Sequence, residues 1–179
     1  PTERTSSIDL LIIGRGPAGI ACALQAHRDG LRVVLVGDEP VGGLVRAARR
    51  LDNLPGAAGT SGEALAERMA RQIEEAGVPT EGVHVAALRR EGPLFLASVD
   101  VDADHRPRNR EVRWAARAVC LAVGTRPRPW PPCASRDVVR DARVLPEHLD
   151  GRRVVVVGGG EAALDTALTA LDRGAAVTV

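Results

Sequence analysis

Ile8-Asp9-Leu10-Leu11-Ile12-Ile13-Gly14-Arg15-Gly16-Pro17-Ala18-Gly19 is the stretch that decides how this chain folds. An apolar run ends in a turn spaced by glycines, and residues 17–29 after it favour a helix. Arg32-Val33-Val34-Leu35-Val36 is a second apolar run, so the whole reads as strand, helix, strand. Near-continuous apolar strands joined through a helix imply a parallel sheet with helices over its faces. In such a turn Gly14 permits the tight bend, Gly16 lets a pyrophosphate approach the backbone, and Gly19 lets the helix pack on the strand. The helix start at Pro17 and Ala18 adds unpaired N–H groups and a partial positive charge, which favour an anion there. The turn is therefore a candidate dinucleotide site.

An acidic residue normally closes the second strand of such a unit and accepts hydrogen bonds from ribose hydroxyls. Here that position is Gly37, with Asp38 and Glu39 directly after it. Either the acid is displaced by a residue or backbone groups hold the ribose.

A second turn of the same kind lies near the other end. Val154-Val155-Val156-Val157 leads into Gly158-Gly159-Gly160-Glu161-Ala162-Ala163, and a helical pattern over 160–173 carries Leu164, Leu168 and Leu171 as its expected inward face. Residues 176–179 begin a further strand. Gly158 and Gly160 occupy the glycine positions, and Glu161 and Ala162 open the helix. Ala163 in the third position is common at pyridine-nucleotide sites, but the choice between NAD and NADP stays open. One such turn indicates a nucleotide-binding module. Two indicate that electrons pass between two bound dinucleotides.

Between the turns, a loop rich in Gly, Pro and Asp covers 37–59. Thr60 with Glu63 has the spacing of a capping box, Leu65, Met69 and Ile73 share one helical face, and Gly77 stops that helix. Strand-like segments follow at 82–88, 94–101 and 110–114, the last two joined by a mixed-sign polar hairpin end. Ala118-Val119-Cys120-Leu121-Ala122-Val123 reads as a buried strand ending at Gly124. Arg126-Pro127-Arg128-Pro129-Trp130-Pro131-Pro132 excludes helix and central strand, and marks a linker. We expect three parts: a dinucleotide-binding domain over 1–130, a linker over 131–150, and the beginning of a second domain over 151–179.

Composition narrows the class. With 45% apolar and 26% charged residues, the 179-residue chain is that of a soluble globular protein. No apolar run reaches bilayer-spanning length, and the first seven residues lack a signal-peptide layout, so no membrane and a cytoplasmic location are expected. A net charge of +1 argues against a nucleic-acid face. Every one of the 24 basic residues is arginine, which removes lysine from any catalytic role. Cys22 and Cys120 read as core thiols, Cys133 as the one with a chance of exposure, and the histidines lack ligand spacing, so no metal is expected.

Taken together, the motifs resemble the thioredoxin-reductase-like branch of the FAD-dependent pyridine-nucleotide oxidoreductases. The turn at 14–19 is similar to the FAD pyrophosphate loop. Val41-Gly42-Gly43-Leu44 and Leu51-Asp52-Asn53-Leu54-Pro55-Gly56 resemble two segments that lie near the flavin, Ala122-Val123-Gly124-Thr125 the turn that returns the chain to FAD, and the turn at 158–163 the NAD(P)H loop. The resemblance implies an α/β architecture: a Rossmann-like FAD domain, with a small β-meander beside its parallel sheet, followed by the start of a Rossmann-like NAD(P)H domain. It implies FAD contacts at Gly14, Gly16, Pro17, Ala18, Gly19, Asp38, Glu39, Gly42, Gly43, Leu44, Asn53, Ala122 and Gly124. NAD(P)H contacts are implied at Gly158, Gly160, Glu161 and Ala162.

The departures are as informative. Leu44 stands where the family has glutamine and Val123 where it has threonine. The family's Cys-x-x-Cys pair falls on Asp141-Ala142-Arg143-Val144, which contains no cysteine. Family members run to roughly 300 residues on a two-domain prior, so a completing subunit or a second copy of the chain is expected as partner. The first expectation is a flavin-dependent oxidoreductase, or a subunit of one, passing electrons from NAD(P)H through FAD to a small-molecule or protein acceptor without a dithiol relay; no side chain stands out as acid, base or nucleophile. The alternatives are an FAD-binding subunit that supports or regulates a larger assembly, and a fragment without independent function.

Overall fold

The computed structural model describes residues 7–100, 110–126, 138–139 and 144–179. The polar leader at 1–6, the hairpin end, most of the proline-rich linker with Cys133, and the stretch 141–143 lie outside the described residues. The chain divides into two compact units, Pro1–Val45 with Ala64–Gly124 and Arg46–Glu63 with Thr125–Val179.

The first unit is built on a six-stranded sheet. Its strands are β1 (Ile8–Ile13), β2 (Val33–Val36), β3 (Thr80–Glu81), β4 (Ala87–Glu91), β5 (Leu94–Asp100) and β6 (Arg110–Leu121), in the order β3-β2-β1-β6-β5-β4. β3, β2, β1 and β6 run parallel, while β6, β5 and β4 form an antiparallel meander that extends the same sheet. Alternation along the central strands sorts their side chains. Ile12, Val33 and Leu35 pack with Ile20, Ala23 and Ala26 of α1 (Pro17–Arg28) and with Ile73 of α2 (Gly62–Glu75). Leu11 and Val36 face the other way, where Ala97, Val99, Trp114, Ala116 and the loop valines Val83 and Val85 enclose them. Leu11, Ile12, Leu35 and Val36 are the largest fully buried side chains. Each contributes about 1.5–3 kcal/mol by leaving water.

Several local expectations are corrected. Only Ala87 and Leu88 of the anticipated strand at 82–88 pair, and β4 runs on to Glu91. The segments 110–114 and 118–123 are one strand, because β6 pairs with β5 along 110–116 and with β1 along 116–121. Small residues at 115, 116 and 118 let it pass between both neighbours. Pairing stops at Leu121, and Leu121 and Val123 are two-thirds exposed rather than buried. Cys22 and Cys120 both sit half-buried against the α1 face of the core. Burial and the neighbouring Cys120 push the Cys22 thiol up, which keeps it in the unreactive thiol form.

The second unit holds β7 (Arg153–Val155), α3 (Glu161–Asp172) and β8 (Ala176–Thr178), the two strands parallel. Its core is Leu149, Ala170 and Ala175, with Val154 and Val177 against them. Leu164, Leu168 and Leu171 are half exposed, against expectation, and the buried helix residues are Ala167 and Ala170. Alanine lets the helix sit close to the two strands, and the neighbouring leucine stripe has no cover among the described residues. The capping box is also absent: the Thr60 N–H donates to Ala57, Thr60 bridges to Leu51, and Glu63 pairs with Arg46. The helix accordingly starts at Gly62, two residues after Thr60. No helix among the described residues is long and apolar enough to cross a membrane.

One ion pair ties β1 to β2. Asp9 accepts the Arg32 backbone N–H at 3.0 Å and its guanidinium at 3.1 Å on both carboxylate oxygens. These bonds lower the Asp9 pKa from 3.8 to about 2. The folded value is the depressed one, so this stabilisation is complete above 3.8 and is lost as pH falls toward 2. Acid unfolding followed by circular dichroism should show Asp9→Asn less stable than the parent near neutrality, with the gap closing across that interval.

Candidate functional site

Three turns of the first unit meet at the carboxyl ends of β1, β2 and β6. The Gly14 N–H donates to the Val36 carbonyl at 2.8 Å and the Ala122 N–H to the Ile13 carbonyl at 2.8 Å, so the bend after β1 is flanked on both sides. Gly14 has φ +116°, and a Cβ there would run into the Ala122 carbonyl. A Cβ on Gly19 would run into the Gly14 carbonyl, so the first turn of α1 sits directly on the bend. Both glycines are therefore required by space, and Gly14 by conformation as well.

Gly16 differs. It is the N-cap of α1, has no side-chain cap, and a Cβ built on it meets nothing within 4 Å. Pro17 occupies the first helical turn with Ala18 and Gly19, and no acid lies in that turn. The helix start thus faces open space with its N–H groups uncapped, which is the arrangement that takes a phosphate. The Gly42 N–H reaches the Arg15 carbonyl at 2.8 Å. Gly43, at φ +55°, comes so near that its Cβ would lie 3.4 Å from the Gly16 Cα. Leu44 follows, half exposed, in the 3-10 turn Gly43–Ala47. On the β6 side Ala122 touches the Gly19 position at 3.4 Å, and Gly124 has φ +67° with open space around it.

At the end of β2, Asp38 does not stand free. Its Oδ2 lies 2.9 Å from His84 Nδ1. Partial burial pushes the Asp38 carboxyl up, but His84 and the backbone N–H groups of Asp38 and Glu39 outweigh that and hold it below its ordinary value. The carbonyl of Glu39 accepts Arg15 Nη2 at 2.6 Å. His84 and Gly82 join this corner without any signal in the sequence, because a two-residue β3 delivers them there. Nothing in the sequence pointed to the Arg15 side chain, since glycine spacing alone defines the turn.

Two observations test whether the first site suits a dinucleotide. A cradle that a Cβ would fill lies at Gly16, and the buried Nε of Arg15 has no acceptor among the described residues. Both fit an anionic or oxygen-rich ligand. The remaining anticipated residues lie in the second unit. Asn53 is exposed beside Asp52, which accepts Arg50 and the Gly59 N–H. Gly158 has φ +135°, with its Cβ position 3.5 Å from the Ala163 Cβ. Gly160 caps α3, and Glu161 and Ala162 form its first turn. Open space around Gly159 and Gly160 repeats the pattern seen at Gly16.

Two glycine variants should therefore behave differently. Gly16→Ala is expected to leave urea unfolding unchanged and to weaken FAD binding about tenfold, equivalent to 1.4 kcal/mol, in a fluorescence titration. Gly14→Ala is expected to lose binding and to cost about 1–3 kcal/mol of stability through strain at its positive φ.

The pyridine nucleotide-disulphide oxidoreductase family model matches residues 8–179. The chain is 29% identical over 170 residues to a thioredoxin reductase of Peptoclostridium acidaminophilum, covering 89% of this chain and 50% of that protein. It is 30% identical over 176 residues to a bifunctional thioredoxin reductase/thioredoxin of Mycobacterium leprae, covering 94% of this chain and 36% of that one. Among solved structures, thioredoxin reductase of Lactococcus lactis in its FR conformation superposes with a TM-score of 0.80 at 22% identity, over 96% of this chain and 55% of that one. The chain thus spans about half the length of most curated relatives it matches. Its strand order, its paired glycine turns and the family match agree: the chain belongs to the pyridine nucleotide-disulphide oxidoreductase family, on its thioredoxin-reductase-like side.

Proposed function

We propose that this chain carries the FAD site and the opening of the NAD(P)H site of a flavin-dependent oxidoreductase, in which electrons pass from NAD(P)H through FAD to an acceptor. The observation that carries this reading is the convergence of the turns at 14–19, 42–43 and 122–124 on an open cradle at Gly16. In this reading the uncapped start of α1 at Pro17, Ala18 and Gly19 holds the FAD pyrophosphate. Gly42, Gly43 and Leu44 lie along the dinucleotide, Ala122 and Gly124 close its other side, and Asp38 and Glu39 border the adenosine end. Asn53 belongs to the flavin end by resemblance. Gly158, Gly160, Glu161 and Ala162 form the corresponding start of the pyridine-nucleotide site. Bound FAD supplies the two-electron chemistry, while the chain supplies position and field.

The acceptor is reached without a Cys-x-x-Cys relay. The three cysteines are at 22, 120 and 133, and the expected position of the pair holds Asp141-Ala142-Arg143-Val144. A small molecule or a redox protein then takes the electrons from the flavin itself. A second subunit or a second copy of the chain is the proposed partner, because the stripe of Leu164, Leu168 and Leu171 is half exposed.

Anaerobic absorbance tests the reading. Protein reconstituted with FAD should be yellow and should bleach on addition of NADH or NADPH, and dithiol reagents should leave the rate unchanged. Colour that persists under both nucleotides would favour a binding subunit over an enzyme. Failure to take up FAD would overturn the proposal.

A further inference from the structure

Arg15 brings to the first turn a side chain that the bend itself does not need. It leaves the turn and crosses the end of β2. A Cβ on Gly37 would lie 3.2 Å from its Cγ, and one on Gly82 would lie 3.5 Å from its Nη2. Gly37 thus makes room for the arginine, whose far end lies in ordinary contact range of Gly82. Nη2 is satisfied by the Glu39 carbonyl at 2.6 Å. Nε is buried and has no acceptor among the described residues. An unmet buried donor on a permanently charged group is costly, so this corner is suited to an acceptor from outside the chain.

This corner sets a guanidinium beside its two acids, Asp38 and Glu39. Gly37 occupies the position where a carboxylate ordinarily takes the ribose hydroxyls, and the Arg15 side chain lies over it. The neighbouring Asp38 has one oxygen on His84 at 2.9 Å, and Glu39 offers its carbonyl to Arg15. Position 37 itself holds no carboxylate to repel a phosphate on the ribose. A guanidinium pairs with one through parallel N–H bonds.

We propose that Arg15 determines specificity at the adenosine end of the first dinucleotide site, allowing that end to take a 2′-phosphorylated ribose as well as the plain ribose of FAD. This rests on reading the first turn as a dinucleotide site. The FAD-loaded protein is titrated with 2′,5′-ADP and, separately, with 5′-ADP, and release of FAD is followed by its fluorescence. Displacement of FAD reports the first site alone. The 2′,5′-ADP should displace FAD at about 10- to 100-fold lower concentration than 5′-ADP, the span of one charge-assisted hydrogen bond. Arg15→Ser should bring the two ligands level. Equal displacement by both in the parent protein, or a preference that survives Arg15→Ser, overturns the proposal.

If the protein takes up no FAD, the flavin reading fails on its own. The same two ligands are then titrated calorimetrically into the apoprotein. There a preference for 2′,5′-ADP abolished by Arg15→Ser supports the role of Arg15, and no preference, or one left intact, overturns it. Should Arg15→Ser not fold, Arg15→Lys keeps the charge without the planar fork and is expected to reduce the preference; an unchanged preference overturns the proposal.

Discussion

Two backbone hydrogen bonds hold the first site together. The Gly14 N–H reaches Val36 and the Ala122 N–H reaches Ile13, so the bend after β1 is tied to the strand on either side. Because the bend sits this low between its neighbours, Gly14 has no room for a Cβ beneath Ala122, and Gly19 has none above Gly14. The start of α1 is then aimed over the strand ends with its N–H groups uncapped. The field that favours an anion at that point follows from sheet pairing and the absence of two methyl groups, with no charged side chain needed.

Charge enters only at the rim, and there it is paired unusually. Arg15, Asp38, Glu39 and His84 form a small polar corner in which Arg15 reaches the Glu39 carbonyl and Asp38 faces His84. The second unit uses the same backbone device in plainer form. Gly158 bends the chain, Gly160 caps α3, and Glu161 is the one acid in the first helical turn. An acid at a helix start is favourable to the helix. It also makes that start less inviting to a phosphate than the acid-free start of α1.

Much of this was legible in the sequence, for identifiable reasons. The near-continuous apolar runs of β1 and β2 and the glycine spacing between them reflect local geometry, so β1, α1 and β2 appear at their expected places to within a residue. The misses arise where tertiary pairing decides. The loop valines Val83 and Val85 look like strand residues but serve as a cover for the core, unpaired in the sheet. The join of 110–114 with 118–121 depends on β1 and β5 flanking β6, which no local pattern reports. Thr60 and Glu63 satisfy a capping pattern by spacing, yet Leu51 and Arg46 compete for them and win. The meeting of His84 with Asp38 required the fold, since the two are 46 positions apart.

The pairing of Ile13 with Leu121 has a consequence for how the chain comes into being. Strands so distant in sequence pair late, because the entropy of closing the intervening chain must be met first. On the ribosome, β1, α1 and β2 can assemble early, but the bend after β1 acquires its second wall only when Ala122 has been made. The glycine turn at 14–19 is thus made well before the residues that complete its shape.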